Sequence, residues 1–303
     1  MRKYGYADSL SAGVVAAGGT LGIMIPPSVP LIIYGLVAEE DIGKLFIAGT
    51  IPGLLLVLLF LAAVRVSVWR KPSLGQPGKK LERAERFAAY GRVWPVLALF
   101  ILVLGGIYIG AFTPTEASGI GAFGAALFAF VKGHVRSLPV LLDILIDSVK
   151  TSAILFAVIF GALVFANFVN LSGLPYDLLD MVEAMNMGPL GVVLFVCLIC
   201  IVLGMIFEAV GLLLLIVPVF LPTLQLMGVD MIWFGIVMVV VVEMGLITPP
   251  IGMNAFTVRA VMPDIKLGDI FKGVTAFVIA DVVALVLIIA FPVIAVGLVT
   301  LLR

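Results

Sequence analysis

Two stretches decide how this chain folds: Gly19-Thr20-Leu21-Gly22-Ile23-Met24-Ile25-Pro26-Pro27-Ser28, and Glu243-Met244-Gly245-Leu246-Ile247-Thr248-Pro249-Pro250-Ile251-Gly252-Met253-Asn254. Each sets a proline pair inside a long apolar run. Proline has no backbone N–H, and it forces the residue before it out of the α region. Each pair therefore ends one half-helix and starts another. The surroundings are extreme: 63% of the 303 residues are hydrophobic and 12% charged, with a mean hydropathy of +1.30. Soluble domains lie far from these values. The chain reads as an all-α integral membrane protein whose natural partner is the lipid bilayer.

Composition also excludes function classes. Eighteen basic and eighteen acidic residues cancel, so no overall charge favours nucleic acid. One histidine, His134, and two cysteines, Cys197 and Cys200, are too few for a haem, zinc or iron–sulfur centre. Cys197 and Cys200 lie in an apolar run and read as helix packing. Gly119-Ile120-Gly121-Ala122-Phe123-Gly124 matches a dinucleotide fingerprint in letters alone. It lies within an apolar span with no preceding strand, and reads as small-residue helix packing.

A membrane-crossing helix needs about 20 mostly apolar residues. Candidates fall at 45–69, 93–111, 116–131, 151–170 and 268–300. The runs 8–38 and 230–262 are broken by their proline pairs, and 189–222 is too long for one helix. The opening Met1-Arg2-Lys3-Tyr4-Gly5-Tyr6 shows no signal-peptide order of regions, so the first span is expected to belong to the fold. Orientation follows lysine and arginine. The segment 70–92 carries Arg70, Lys71, Lys79, Lys80, Arg83, Arg86 and Arg92 against Glu82 and Glu85, and is placed in the cytoplasm. Arg2, Lys3, Lys132, Arg136, Lys266 and Lys272 then fall on the same side. Glu39, Glu40, Asp41, Asp177, Asp180 and Glu183 fall on the other. For that count to close, 189–222 must be a re-entrant hairpin with its tip near Gly204 to Gly211. Backbone of this kind survives at membrane depth only where protein buries it or it lines a cavity.

One self-similarity stands out. Gly5, Val14, Gly22, Pro26, Pro27, Asp41 and Ile42 recur 223 positions later as Gly228, Val237, Gly245, Pro249, Pro250, Asp264 and Ile265. The two copies run in opposite predicted directions, as in the inverted repeats that build secondary transporters. Residues 1–69 become the end of a first repeat and 93–303 a second, with 70–92 between them. The first copy is expected to be incomplete, its missing spans and hairpin amounting to about 130 residues upstream of Met1.

A helix broken at mid-bilayer presents free carbonyls at one new end and free amides at the other. Carbonyls before the prolines, with hydroxyls from Thr20, Ser28 or Thr248, are hard oxygen ligands suited to Na+. Amides after the prolines suit a carboxylate. Glu208, at the hairpin tip, is expected either to help hold a cation or to bond the hairpin's own amides, and Glu243 to support the second break. Arg259 is expected to snorkel to the interface. Asp281 is expected to pair with a neighbouring helix outside the site.

The residues also resemble a known family. Gly5-Tyr6, Gly22 to Pro30, Leu45-Phe46-Ile47-Ala48-Gly49 with Pro52-Gly53, Phe112-Thr113-Pro114-Thr115-Glu116-Ala117, and the motif from Glu243 to Gly252 are similar to the large membrane subunit of tripartite ATP-independent periplasmic (TRAP) transporters. The resemblance implies an elevator-type symporter, not an enzyme. It would import organic acids such as C4-dicarboxylates across a bacterial inner membrane on a Na+ gradient. Its implied partners are a periplasmic substrate-binding protein and a small four-helix membrane subunit, and Na+ serves as coupling ion with no other cofactor. Carried over by position, one cation site falls at Gly22, Ile25 and Ser28. A second falls between Glu208 and the break at Gly245 and Thr248. Substrate lies between them, near Thr20, Pro27, Pro250, Gly252 and Asn254.

Three other readings stand beside this one: a stand-alone Na+/dicarboxylate carrier of the same superfamily, an inactive product of a truncated gene, and a structural subunit that assembles with a missing half. An intramembrane enzyme fits least, since no span carries paired aspartates, a Ser/Lys dyad or a histidine-based metal motif.

Overall fold

The computed structural model describes Met1, residues 4–75 and residues 83–302, the side chains of 83–89, 92 and 183 excepted. Arg2, Lys3 and the stretch 76–82 of the basic segment lie outside the described residues. Among the described residues the chain is all helix: α1 Asp8–Met24, α2 Val29–Ala38, α3 Ile42–Arg70, α4 Arg83–Tyr108, α5 Pro114–Val131, α6 Leu138–Leu171, α7 Leu174–Ala184, α8 Pro189–Gly204, α9 Ala209–Leu226, α10 Met231–Ile247, α11 Met253–Val261, α12 Leu267–Ala290 and α13 Val293–Leu301. Five of these, α3, α5, α6, α9 and α12, are long and apolar enough to cross a membrane. The pair α1 and α2 reaches that length together, with a bend of 40° at the break. The protein is a multi-pass membrane protein.

The chain divides into two compact units, residues 1–77 with 162–303, and residues 78–161. The division runs through α6. In the smaller unit α4 packs on α5. The turn between them is set by a capping box: Thr113 N donates to Glu116 Oε2 at 2.8 Å, and Glu116 N donates to Thr113 Oγ1 at 3.3 Å. Two orphan amides at the start of α5 are thereby satisfied, which explains the Thr113-Pro114-Thr115-Glu116 run in physical terms. Much of the outer surface of α5 and α6 is apolar, including Phe123, Leu127, Phe156 and Phe160.

The larger unit is built around α10. Fifteen further residues of this 17-residue helix are buried besides Met231, leaving Ile232 as its exception. A helix apolar all round belongs in a core, and α10 packs against α8, α12, α1, α3, α2 and α9. Asp230 caps it, accepting from Trp233 N at 2.9 Å. Two long-range hydrogen bonds fix its first turn: Tyr34 Oη donates to Met231 O at 2.6 Å, and Trp233 Nε1 donates to Ile288 O at 3.0 Å. Such bonds satisfy polar tips that would otherwise be costly among apolar side chains. Alongside, α1 lies backbone to backbone on α12, where Gly13 and Gly273 meet and a side chain at Gly273 would collide with Ser9 O. Small residues permit this approach in membranes.

Several helix bounds differ from those drawn on hydropathy. The span drawn at 93–111 is the apolar end of a helix that begins at Arg83. The span drawn at 151–170 is part of a 34-residue helix that starts at Leu138. Hydropathy marks where apolar residues begin, while a helix continues through Arg83 to Arg92 or Asp143 to Lys150 because such residues are good or tolerable helix formers. The final span, drawn as 268–300, is interrupted at Pro292, whose missing N–H ends α12 and opens α13. Helix α7 was not foreseen. It is short and amphipathic, with Leu178, Met181 and Val182 on one side and Asp177 and Asp180 on the other, and it packs on α9.

Replacing Gly273 by alanine should force α1 and α12 apart, at a cost of about 1–3 kcal/mol. Gly18→Ala, whose new methyl meets nothing within 4 Å, is the control. Thermal unfolding of the detergent-purified protein should show a lowered midpoint for the first variant and little change for the second.

Candidate functional site

The two proline pairs act on the backbone in one way. In α1, the amide four residues beyond Gly22 would belong to Pro26, and that beyond Ile23 to Pro27. Neither carbonyl has its helical donor. The last regular bond is Ile25 N to Leu21 O at 2.9 Å. Ser28, the N-cap of α2, turns its hydroxyl onto Ile23 O and accepts from Leu31 N at 3.4 Å. Ile23 O is thus recovered and Gly22 O is left outside the ladder. In α10 the equivalent donors for Gly245 O and Leu246 O would belong to Pro249 and Pro250. Thr248 N reaches Gly245 O at 3.2 Å, so here Leu246 O is outside the ladder. The Thr248 hydroxyl donates to Met244 O at 2.6 Å, which leaves its lone pairs available to a cation. Both Pro-Pro bonds are cis.

Each break is seated by glycines. At the first, α3 passes close, so that a methyl group on Gly53 would lie 3.1 Å from Ile25 Cγ1 and one on Gly49 3.3 Å from Met24 O. At the second, the partner is the turn between α8 and α9. A methyl group on Gly245 would lie 2.8 Å from Gly204 Cα. Gly252 N donates to Met205 O at 3.2 Å. Gly252 is left-handed, with φ 55°, and an added Cβ would lie 3.1 Å from Thr248 O. A side chain there would meet both a conformational and a steric penalty. The turn and the second break are thereby joined through backbone alone.

Of the residues named from sequence, the structure brings several together and leaves others apart. Gly245, Thr248 and Gly252 form one cluster against Gly204 and Met205. At the first break Ile25 lies against Gly53 of α3 and Ser28 turns onto Ile23 O, while Gly22 is exposed and stands apart from α3. Pro27 and Pro250 are exposed. Asn254 crosses to α1, its Nδ2 donating to Ala16 O at 3.1 Å. Thr20 is fully buried, its hydroxyl 2.8 Å from Ala17 O and 2.6 Å from Glu243 Oε1. Glu208 is exposed and caps α9, accepting from Gly211 N at 3.3 Å. This matches the second of its two expected roles, bonding the hairpin's own amides. Arg259 donates to Ile265 O and so ties α11 to the start of α12. Asp281 is buried on α12, and its carboxyl oxygens have no hydrogen-bond partner among the described residues. Gly204, Met205, Gly49 and Gly53 escaped the sequence reading as site residues. The Gly49-x-x-x-Gly53 spacing was the signal that could have flagged α3 as a close neighbour.

Residues 1–294 match the family described as tripartite ATP-independent periplasmic transporter, DctM component. The chain is 34% identical over 298 residues to a C4-dicarboxylate TRAP transporter large permease protein of Pseudomonas aeruginosa, covering 98% of this chain and 69% of that one. It is 32% identical over 292 residues to a sialic acid TRAP transporter large permease protein of Vibrio cholerae, covering 96% and 68%. It is 33% identical over 298 residues to an ectoine TRAP transporter large permease protein of Halomonas elongata, covering 97% and 68%.

The two breaks should respond differently to one added methyl group. Gly245→Ala should press on Gly204 and loosen the turn from the break, costing about 1–3 kcal/mol. Gly22→Ala meets nothing within 4 Å and should be accommodated. Limited proteolysis at the α8–α9 turn checks this: faster cleavage is expected for Gly245→Ala alone, and equal rates in both variants would contradict the packing described.

Proposed function

The chain belongs to the DctM-component family of tripartite ATP-independent periplasmic transporters, and from that premise we propose that it works as the large permease subunit of a Na+-coupled secondary importer of organic acids. The three relatives named above are called permeases for a C4-dicarboxylate, for sialic acid and for ectoine. All three compounds carry a carboxylate, and that shared group is the substrate chemistry proposed here. One observation carries the reading. Two proline-broken helices release carbonyls into the larger unit, and one of them is joined through backbone to the turn of a helical hairpin.

Released carbonyls bind a small hard cation without any charged side chain. The first cation site is assigned to Gly22, Ile25 and Ser28, and the second to Gly245 and Thr248 with Glu208 at the hairpin tip. Thr20, Pro27, Pro250, Gly252 and Asn254 are assigned to the substrate region between them. The 223-residue recurrence supports an inverted repeat, with α1 and α2 in one half and α10 and α11 in the other. Transport then proceeds by rigid-body displacement of the hairpin-bearing part against a scaffold, in a bacterial inner membrane with the basic segment 70–92 on the cytoplasmic side. Substrate arrives on a periplasmic binding protein, and a small four-helix subunit completes the assembly. The naming of one relative as a single permease protein DctMQ supports a second membrane component in this family.

The test is uptake of labelled carboxylates into proteoliposomes holding the complete transporter, with the binding protein outside. Uptake should require an inward Na+ gradient and the binding protein. Thr248→Val should raise the half-saturating Na+ concentration roughly fivefold, the loss of about 1 kcal/mol of ligand energy, with the amount of inserted protein unchanged. Wild-type Na+ dependence in the variant would remove the second-site assignment. Uptake without the binding protein would favour a stand-alone carrier.

A further inference from the structure

One polar contact is unused by the breaks and the hairpin. Glu243 follows Val239-Val240-Val241-Val242 on α10, and neither it nor Thr20 on α1 has exposed surface. Thr20 Oγ1 lies 2.6 Å from Glu243 Oε1. Glu243 Oε2 and both carboxyl oxygens of Asp281 have no hydrogen-bond partner among the described residues. Asp281 acts on Glu243 electrostatically but makes no hydrogen bond to it, so Thr20 alone supplies the hydrogen bond that sets where the Glu243 carboxyl rests. An ionisable side chain at such a place is expensive, and in membrane proteins it marks function by default.

The sequence separation of this pair is itself informative. Thr20 and Glu243 are 223 residues apart, the offset that relates Gly22 to Gly245 and Pro26-Pro27 to Pro249-Pro250. If a two-fold axis relates the halves, Glu243 occupies the position equivalent to Thr20. A position touches its own equivalent only on the symmetry axis, as in any isologous contact. Thr20 is two residues before Gly22, and Glu243 two before Gly245. The hydrogen bond therefore joins the two helix ends whose carbonyls the prolines release. Asn254 Nδ2 adds a second link, to Ala16 O, one turn before Thr20.

We propose that Glu243 is a positioning residue of the transport site: through Thr20 it holds the two interrupted helices in register across the pseudo-two-fold axis, so that the two breaks are presented as one unit. This rests on the inverted-repeat reading above. The halves differ at this point, with a hydroxyl on one side and a carboxyl on the other.

The experiment is a double-mutant cycle in the complete reconstituted transporter with its binding protein, read as initial uptake at saturating driving ion. Thr20→Val and Glu243→Leu should each lower uptake about tenfold, and the double variant no further than either alone, because both remove one shared interaction. Glu243→Gln keeps an oxygen acceptor 2.6 Å from the Thr20 hydroxyl, and should recover most of the lost rate. Quantities of folded, inserted protein are measured alongside by size-exclusion profile. Single effects that multiply to about a hundredfold, or a Gln variant as impaired as Leu at equal folded protein, would overturn the proposal. If the Val and Leu variants fail to insert, Glu243→Asp, which draws the carboxyl one methylene away from Thr20, is compared with Glu243→Gln: loss in Asp with retention in Gln supports the tie, and equal uptake in both overturns it. An absence of Na+ dependence in the unmutated transporter would instead overturn the symporter reading, and it leaves the cycle interpretable with whichever ion drives uptake.

Discussion

Backbone hydrogen bonding inside a membrane is the constraint on which the rest depends. Lipid offers no donors or acceptors, so every amide and carbonyl must find a partner within protein. Four prolines, at 26, 27, 249 and 250, remove four amides from two largely apolar runs. The surroundings of each break answer that loss. Ser28 reaches back to Ile23 O, Thr248 N shortens its bond to Gly245 O, and Gly252 N finds Met205 O outside its own helix. Gly22 O and Leu246 O, whose helical donors the prolines remove, are part of the chemistry the two breaks have to offer.

Glycine makes those arrangements possible. The second break and the α8–α9 turn meet through Gly245 and Gly204, α3 approaches the first break at Gly49 and Gly53, and α1 meets α12 at Gly13 and Gly273. Around them α10 supplies a core helix with almost no exposed surface. Its burial holds the polar exceptions in place, since a misplaced Tyr34, Trp233 or Glu243 would lose a partner it could not replace with water.

The smaller unit follows different rules. Its turn is local, written by Thr113 and Glu116 in a capping box, while α5 and the adjoining part of α6 present mostly apolar side chains outward. Apolar surface of this kind is compatible with acyl chains, which solvate leucine and phenylalanine as well as another helix does.

What the sequence determined by itself is what local chemistry dictates. The all-helical membrane class follows from hydropathy, and the breaks at Pro26-Pro27 and Pro249-Pro250 follow from the missing amides. The turn between α8 and α9 followed from a run too long for one helix, and the Phe112 to Ala117 turn from its residue types. Tertiary structure decided the rest. The helix end at Arg83 lies in polar sequence that hydropathy does not count, and α6 runs back through Lys150, Asp147 and Asp143 to Leu138. Glu208 caps α9 because that helix begins at Ala209, which the sequence alone did not fix. Packing of α1 on α10 sets the Thr20 hydroxyl 2.8 Å from Ala17 O and 2.6 Å from Glu243 Oε1, a neighbour 223 positions away that no local pattern shows. Asp281 and Glu243 are isolated letters 38 positions apart, brought into mutual electrostatic reach only when α10 and α12 pack. Each is a contact between residues remote along the chain, and such contacts depend on how close two backbones can come, a property of the packed helices and of no single stretch of sequence.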